Sequence, residues 1–163
     1  TVVIFTSDHG EMLGDHGLWG KGVWYDQACG VPMIIAGPGV ETGRRSEALV
    51  QFHDIHATVL DYADIARSSV DATVPDSSPS DSISMRPLLH GDARRARAVA
   101  VSGLRDWRCA FDGRYKLVAA LGEPHRLYDL AADPSEIHDV IAQHQDVALR
   151  LASELPELYR AGG

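Results

Sequence analysis

Four consecutive apolar residues near the start of the chain, Val2 to Phe5, limit the fold more than any other stretch. The run is β-branched and aromatic throughout and does not alternate with polar residues, which is typical of a strand buried on both faces of a parallel sheet. A second apolar run, Val31 to Ala36, ends at the turn signal Gly-Pro-Gly. Because helices cover both faces of such sheets, the two runs predict an α/β protein.

The second half of the chain has a different pattern. Asp112-Gly113, the strongest two-residue hairpin signal, separates apolar stretches at 107–111 and 115–121. We expect a small antiparallel sheet closed by a helix over 143–159, with an apolar face of Leu149, Leu151, Leu155 and Leu158. The other predicted elements are short strands at 99–102 and 127–130 and a helix that begins near Asp54.

These patterns divide the chain into three parts. Residues 1–66 form the α/β part, residues 67–82 are a Ser-, Asp- and Pro-rich surface loop, and residues 83–163 form an α+β subdomain. The chain begins at Thr1 without a methionine and enters a strand by Val2. A buried strand needs neighbours from elsewhere in its chain, so we expect this to be the carboxy-terminal portion of a longer protein.

The charge and the hydropathy of the chain argue against a nucleic-acid partner and against a membrane-spanning helix. The net charge of −8 argues against a nucleic-acid partner, because phosphate binding needs a basic face. No stretch has the roughly 18 continuous apolar residues of a membrane span. The basic cluster of Arg94, Arg95 and Arg97 is predicted to be a solvated loop, with an anion site as the alternative. Cys29 and Cys109 are predicted to be buried or half-buried thiols, with a disulfide left open. Localisation and oligomeric state stay unknown.

Asp8 and His9 lie three and four residues after the first apolar run, where ligands gather in open α/β sheets. A carboxylate at a dry strand end is costly unless it is paired or bound to a metal, and a divalent cation removes that cost. Gly10 would let the backbone turn sharply, so that both side chains face one point. The alternative is that Asp8 caps a helix starting near Glu11.

Lys21 lies twelve positions after His9 in a loop rich in glycine. A lysine held in such a loop is a candidate fixed cation for a tetrahedral anion. His16 is either a proton donor near this site or a histidine that packs the loop. Asp15 and Glu11 are predicted to be solvent-facing acids, with a ligand role as the alternative. The loop glycines are Gly14, Gly17, Gly20 and Gly22.

Four motifs resemble the sulfatases of the alkaline-phosphatase superfamily. SDHGEMLGDHGLWGKG followed by VPMIIAGPG is similar to their second metal-binding segment. DSISMRPLLHGD, GRYKLVAAL and HRLYDLAADPSEIHDV are similar to later sulfatase segments, in the same order. The resemblance covers nearly the whole chain. It implies the edge of an alkaline-phosphatase-like mixed or parallel sheet, followed by the small antiparallel sheet with its helix.

The resemblance also implies roles for individual residues. Asp8 and His9 would be metal ligands, and Lys21 would contact a sulfate ester oxygen. We predict in addition that a histidine would protonate the leaving alcohol, and His16 is the candidate for this role. Ca²⁺ is the ion that the resemblance implies first, whereas a histidine ligand favours Mn²⁺ or Zn²⁺ on chemical grounds, so the identity of the divalent metal stays open.

The implied function is hydrolysis of a sulfate monoester, carried by a small molecule or a glycan, through a formylglycine nucleophile. That nucleophile arises from a Cys or Ser in a Cys/Ser-x-Pro-x-Arg motif, which neither Cys29 nor Cys109 matches. We therefore expect this chain to be inactive alone. The alternatives are a phosphodiester or phosphonate monoester hydrolase of the same superfamily, or a non-catalytic scaffold.

Overall fold

The computed structural model describes residues 1–66 and 81–160. The chain divides into two compact units, one built from Thr1–Ile4 and Ile34–Ala98 and the other from Phe5–Met33 and the residues from Val99 onward. The predicted division into residues 1–66, 67–82 and 83–163 stays a prediction, and most of the predicted loop, residues 67–80, lies outside the described residues.

Regular elements follow one another in the order predicted for an α/β segment and then an antiparallel sheet. The described strands and α-helices are β1 (Val3–Thr6), α1 (Asp26–Cys29), β2 (Met33–Ala36), α2 (Asp54–Tyr62), α3 (Arg86–Leu89), β3 (Ala100–Leu104), β4 (Trp107–Phe111), β5 (Tyr115–Ala120), β6 (Arg126–Asp129) and α4 (Gln145–Ala152). Single 3₁₀ turns lie at Asp15–Gly17 and Glu157–Tyr159.

The two predicted apolar runs form a pair of neighbouring strands. β1 and β2 make a two-stranded sheet within the described residues. The prediction that the first run is buried on both faces is wrong for this chain, because Val3 and Phe5 are 60% and 61% exposed. Alternate residues of the strand point to opposite faces, and no described element covers the face that carries these two side chains.

The helix expected near Asp54 is α2, and it begins at that residue. The Asp54 carboxylate is fully buried, where it accepts hydrogen bonds from the amides of Gln51 (2.7 Å) and Ile83 (2.8 Å). The guanidinium of Arg97 forms an ion pair with it. Arg97 was predicted to lie in a solvated loop, and this is wrong, because a buried carboxylate needs a counter-charge and Arg97 supplies it.

The second unit contains the predicted antiparallel sheet, in the order β3-β4-β5-β6. Asp112-Gly113 forms the β4–β5 turn, as predicted. The Asp112 carboxylate accepts the amides of Arg114 (2.9 Å) and Tyr115 (2.8 Å), while Gly113 has a φ of +100°, a region that glycine enters without strain. Local turn chemistry therefore fixes the register of this hairpin.

Both faces of this sheet are buried, which explains the uninterrupted apolar run in β5. One face packs on α4 through Ala110, Leu117, Ala119 and Leu127. The opposite face carries Trp107, Cys109, Val118 and Tyr128. Trp24 and Cys29, the last residue of α1, pack against these side chains. The sheet therefore separates α4 from the segment that follows Lys21.

The closing helix α4 is shorter than the predicted range 143–159, because it ends at Ala152 and Pro156 follows shortly after. Leu151 and Leu155 are buried as expected, whereas Leu149 and Leu158 are 73% and 70% exposed. Positions two apart on a helix point to nearly opposite sides, so Leu149 and Leu151 cannot share one face. Across residues 1–66 and 81–160, no helix has the length and apolar character to cross a membrane.

Candidate functional site

Asp8 and His9 lie in a tight turn that directly follows β1. The Ser7 hydroxyl donates to the His9 carbonyl at 2.8 Å, and the His9 amide donates to Asp8 Oδ1 at 3.1 Å. These short-range bonds turn the backbone within three residues of the strand end. Both side chains are consequently held at the edge where the strand stops.

The orientation of the His9 ring is fixed by its own backbone. Nδ1 lies 2.7 Å from the Gly10 carbonyl, which only accepts hydrogen bonds, so Nδ1 carries the proton. In the neutral ring Nε2 is then an acceptor with its lone pair directed away from the turn. Nε2 contacts the Lys21 ammonium and lies 3.5 Å from Asp8 Oδ2.

The Asp8 carboxylate and the Lys21 ammonium therefore both lie close to the Nε2 atom of His9. The site is open, since the side chains of Asp8 and His9 are 75% and 35% exposed. Within residues 1–66 and 81–160, no group of three or more His, Cys, Asp or Glu side chains is arranged to hold a metal ion. The described residues can supply two ligands to a cation, together with one positive charge for an anion.

The loop that presents Lys21 is closed at its base by two contacts of Gly20. The Gly20 carbonyl accepts a hydrogen bond from the Met12 amide at 3.0 Å, and the Gly20 amide donates one to the Glu11 carboxylate. Glu11 was predicted to be solvent-facing, and this is wrong: it is half-buried and holds the residue that precedes Lys21. The hydrogen bond from the Gly20 amide to the Glu11 carboxylate is charge-assisted, and it is therefore stronger than a bond between neutral groups.

His16 is placed differently from the other three predicted site residues. It lies in the 3₁₀ turn with a φ of +55°, and its exposed ring stacks on Tyr25 with a centroid distance of 3.8 Å. The structure brings Asp8, His9 and Lys21 together, and the contact that it gives His16 is with Tyr25. Asp15 is exposed, as predicted for a solvent-facing acid.

Gly10 is required by close packing rather than by a turn. Its φ is not positive, contrary to the expectation of a sharp glycine turn. Its amide donates to the Ala28 carbonyl of α1 at 2.9 Å, and a Cβ atom at this position would lie 1.9 Å from the Gln27 carbonyl oxygen. Only glycine lets α1 approach the residue next to His9 this closely.

Replacing Gly10 with alanine is expected to lower the free energy of unfolding by about 1–3 kcal/mol, because either α1 or the His9 turn must move. Urea unfolding followed by circular dichroism measures the change. Gly22→Ala is the matched control, since a Cβ atom at Gly22 meets nothing within 4 Å and no positive φ is required. Equal stability of the two variants would show that the close approach is unimportant.

Cys29 and Cys109 are free thiols, half-buried and buried respectively, as predicted, and the disulfide left open by the sequence is not formed. The Cys29 thiol lies 3.6 Å from the Val23 carbonyl. A hydrogen bond from Cys109 lowers the pKa of Cys29, and the same bond together with burial raises the pKa of Cys109. Both thiols pack between the loop and the antiparallel sheet.

Three residues that hold this site were missed in the sequence. Glu11 closes the Lys21 loop, Trp107 donates its indole N–H to the Gly22 carbonyl at 3.0 Å, and Glu136 accepts the Asp26 amide at 2.6 Å. Trp107 and Glu136 lie 85 and 110 residues from their partners. Of these two residues, only Glu136 lies in one of the four motifs that carry the family resemblance, HRLYDLAADPSEIHDV, and that resemblance indicated no contact for it.

Comparison with known proteins gives consistent matches. The protein-family model described as Sulfatase matches residues 1–65. The choline-sulfatase of Rhizobium meliloti (strain 1021) is 31% identical over 141 residues, which cover 84% of this chain and 26% of that protein. The chain thus spans about a quarter of the length of this relative.

Solved structures confirm the predicted fold class. The phosphonate monoester hydrolase of Agrobacterium radiobacter has a TM-score of 0.78 at 33% identity, covering 97% of this chain and 34% of that one. A structure solved in complex with its substrate D-glucosamine-2-N,6-O-disulfate also has a TM-score of 0.78, covering 98% of this chain and 35% of that one. At 24% identity, the second match supports the fold alone.

Proposed function

We propose that this chain, which belongs to the sulfatase family, forms one wall of the active site of an enzyme that hydrolyses sulfate monoesters. The observation that carries the proposal is that Asp8 Oδ2 and the Lys21 ammonium both lie close to His9 Nε2, beyond the end of β1. A metal-assisted site that hydrolyses a tetrahedral ester needs side chains that bind the metal and a positive group that faces the ester oxygens. Asp8 and His9 are of the first kind, and Lys21 is of the second.

Asp8 and His9 are the proposed metal ligands. The donor set fits part of a metal site, because Asp8 is a carboxylate and the protonated Nδ1 of His9 leaves the Nε2 lone pair as the donor atom. A metal bound to Nε2 would replace the contact that this atom makes with the Lys21 ammonium. A divalent metal here would supply Lewis acidity to an ester oxygen. Two donor groups do not complete a coordination shell, so the proposal requires further ligands from other residues. Ca²⁺ and Mn²⁺ are the two candidate ions.

Lys21 is the proposed contact for a non-bridging ester oxygen. A positive group at this position would stabilise the transition state more than the ground state, because negative charge gathers on those oxygens during the reaction. His16 is the proposed proton donor to the leaving alcohol. The support for this role is that His16 is exposed and that its ring is held in one orientation by stacking on Tyr25.

The nucleophile, by resemblance a hydrated formylglycine, has no candidate in this sequence. The Cys29 and Cys109 segments both lack the Pro and Arg spacing of the modified motif. A purified chain of these 163 residues is therefore expected to bind a sulfate ester weakly and to turn over none of it. The activity belongs to the complete protein that carries this chain.

The test is turnover by that complete protein. 4-Nitrophenyl sulfate is compared with a phenyl phosphonate monoester of 4-nitrophenol, before and after metal removal by a chelator and with Ca²⁺ or Mn²⁺ added back. Sulfate hydrolysis that is lost on chelation and restored by one ion supports the proposal. The similarity to a phosphonate monoester hydrolase favours a second candidate, and faster turnover of the phosphonate would select it. No turnover of either ester would indicate a non-catalytic scaffold.

A further inference from the structure

We propose that the face of the antiparallel sheet opposite α4 is a positioning platform for the Asp8, His9 and Lys21 site, with Trp107 and the Lys116–Glu136 pair as positioning residues. The inference rests on the proposed function, because it assigns to these residues the task of placing that site's groups. None of these three residues contacts Asp8, His9 or Lys21. Trp107 and Glu136 bind backbone groups of the segment that follows Lys21, and Lys116 acts through Glu136.

Trp107 holds the loop on the far side of Lys21. Its indole N–H donates to the Gly22 carbonyl at 3.0 Å, and its side chain is 8% exposed at the edge of the platform. Gly20, on the near side, is held by Glu11 and Met12. Lys21 is thus the single residue between two anchored glycines, which restricts where its ammonium group can lie.

The Lys116–Glu136 pair holds the other part of the site. The Lys116 ammonium lies 2.6 Å from Glu136 Oε1, with the two side chains 4% and 0% exposed. The other carboxylate oxygen accepts the amide of Asp26, the first residue of α1, at 2.6 Å. From the other end of α1 the Ala28 carbonyl binds the Gly10 amide next to His9. Through α1, these three contacts link β5 to the turn that carries Asp8 and His9.

Stability alone does not call for this arrangement. A buried ion pair can often be replaced by apolar side chains of similar size at no cost in stability, whereas it defines one geometry for the groups it binds. Glu136 also adopts a φ of +53°, which costs energy for a residue other than glycine. Glu136 therefore carries both the buried charge and the unfavourable backbone conformation, and its Oε2 atom accepts the hydrogen bond of the Asp26 amide.

The first experiment compares Trp107→Phe with Trp24→Phe in the complete protein. Both changes remove an indole N–H from the same aromatic cluster, but the Trp24 N–H has no hydrogen-bond partner among the described residues. Trp107→Phe is expected to lower kcat about tenfold at unchanged metal affinity, since small displacements of a charged group are costly for the reaction. Trp24→Phe is expected to stay within twofold. Equal losses, or losses that follow the urea midpoint, would overturn the role of Trp107.

The second experiment isolates the bond to the Asp26 amide. The double variants Lys116→Met/Glu136→Gln and Lys116→Met/Glu136→Leu both avoid an unpaired buried charge, but only the first keeps an acceptor for that amide. Titration calorimetry with Ca²⁺ and with Mn²⁺ is expected to show about tenfold weaker binding for the second than for the first, as for other contacts behind metal ligands. Equal affinities in two variants of equal stability would overturn the role of Glu136.

A third readout separates this inference from the proposed function. Side-chain ¹⁵N resonances of His9 and Lys21 need neither turnover nor metal. If the complete protein hydrolyses no ester and binds no metal, the proposed function is wrong. Shifts of both resonances in Trp107→Phe but not in Trp24→Phe would still support the positioning platform. Unchanged resonances in both variants would refute it.

Discussion

Replacing Lys21 with methionine is expected to lower kcat/KM for a sulfate ester by about 10²–10³-fold in the complete protein, comparable to the removal of one donor to a developing oxyanion. Methionine keeps most of the apolar stem and removes the charge. The ammonium group is the positive group that the described residues bring against His9 Nε2. Steady-state rates over a substrate range measure the effect, and we expect most of it in kcat.

Two variants accompany this measurement. Lys21→Arg keeps the charge and should retain more activity than the methionine variant, although the bulkier guanidinium group fits the same contact less well. Arg94→Met removes one positive charge from an exposed position outside the site and is expected to leave kcat/KM within twofold. A methionine variant of Lys21 with nearly unchanged kcat, or an equal loss in Arg94→Met, would refute a specific role for the ammonium group.

The part of the site that could be predicted from the sequence is the part close together in the chain. Asp8 and His9 follow an apolar run, and Lys21 lies within a glycine-rich loop twelve positions later, so chain geometry alone limits how far these groups can separate. Trp107 and Glu136 escaped prediction because their contacts join residues that are distant in sequence. A single sequence carries no signal for such pairs.

The fold follows the same division between local and tertiary causes. The Asp112-Gly113 hairpin was predicted because a two-residue turn sets its own register. The burial of β1 and the apolar face of α4 were predicted less well, since they depend on which elements cover each face. Val3 belongs to a strand whose outer face no described element covers, and Leu149 lies on the helix side that faces away from the sheet.

Asp54 shows why charge patterns are weak guides to burial. The basic cluster near Arg97 has the composition of a solvated loop, yet the Arg97 side chain is 9% exposed and pairs with a carboxylate 43 residues earlier. The pairing is invisible in either segment alone. The reason for the pairing is the burial of the Asp54 carboxylate at the start of α2, because an uncompensated charge there would be costly.

Replacing Asp54 with alanine is therefore expected to reduce the free energy of unfolding by about 3–5 kcal/mol, the loss typical of breaking a buried charge pair on one side. The change leaves the Arg97 guanidinium without its counter-charge. It also removes the acceptor of the Gln51 and Ile83 amides. Urea unfolding monitored by circular dichroism and by intrinsic fluorescence tests the prediction, with a matching fall in the melting temperature.

Asp61→Ala in the same helix is the matched control. The Asp61 side chain is 36% exposed and pairs with Arg86 near the surface, so its loss should be much smaller. The double variant Asp54→Ala/Arg97→Met removes both buried charges and is expected to recover part of the stability lost in Asp54→Ala. If the double variant is no more stable than Asp54→Ala, the loss comes from the two amides rather than from the unpaired guanidinium. If Asp54→Ala is no less stable than Asp61→Ala, the buried carboxylate does not stabilise this unit.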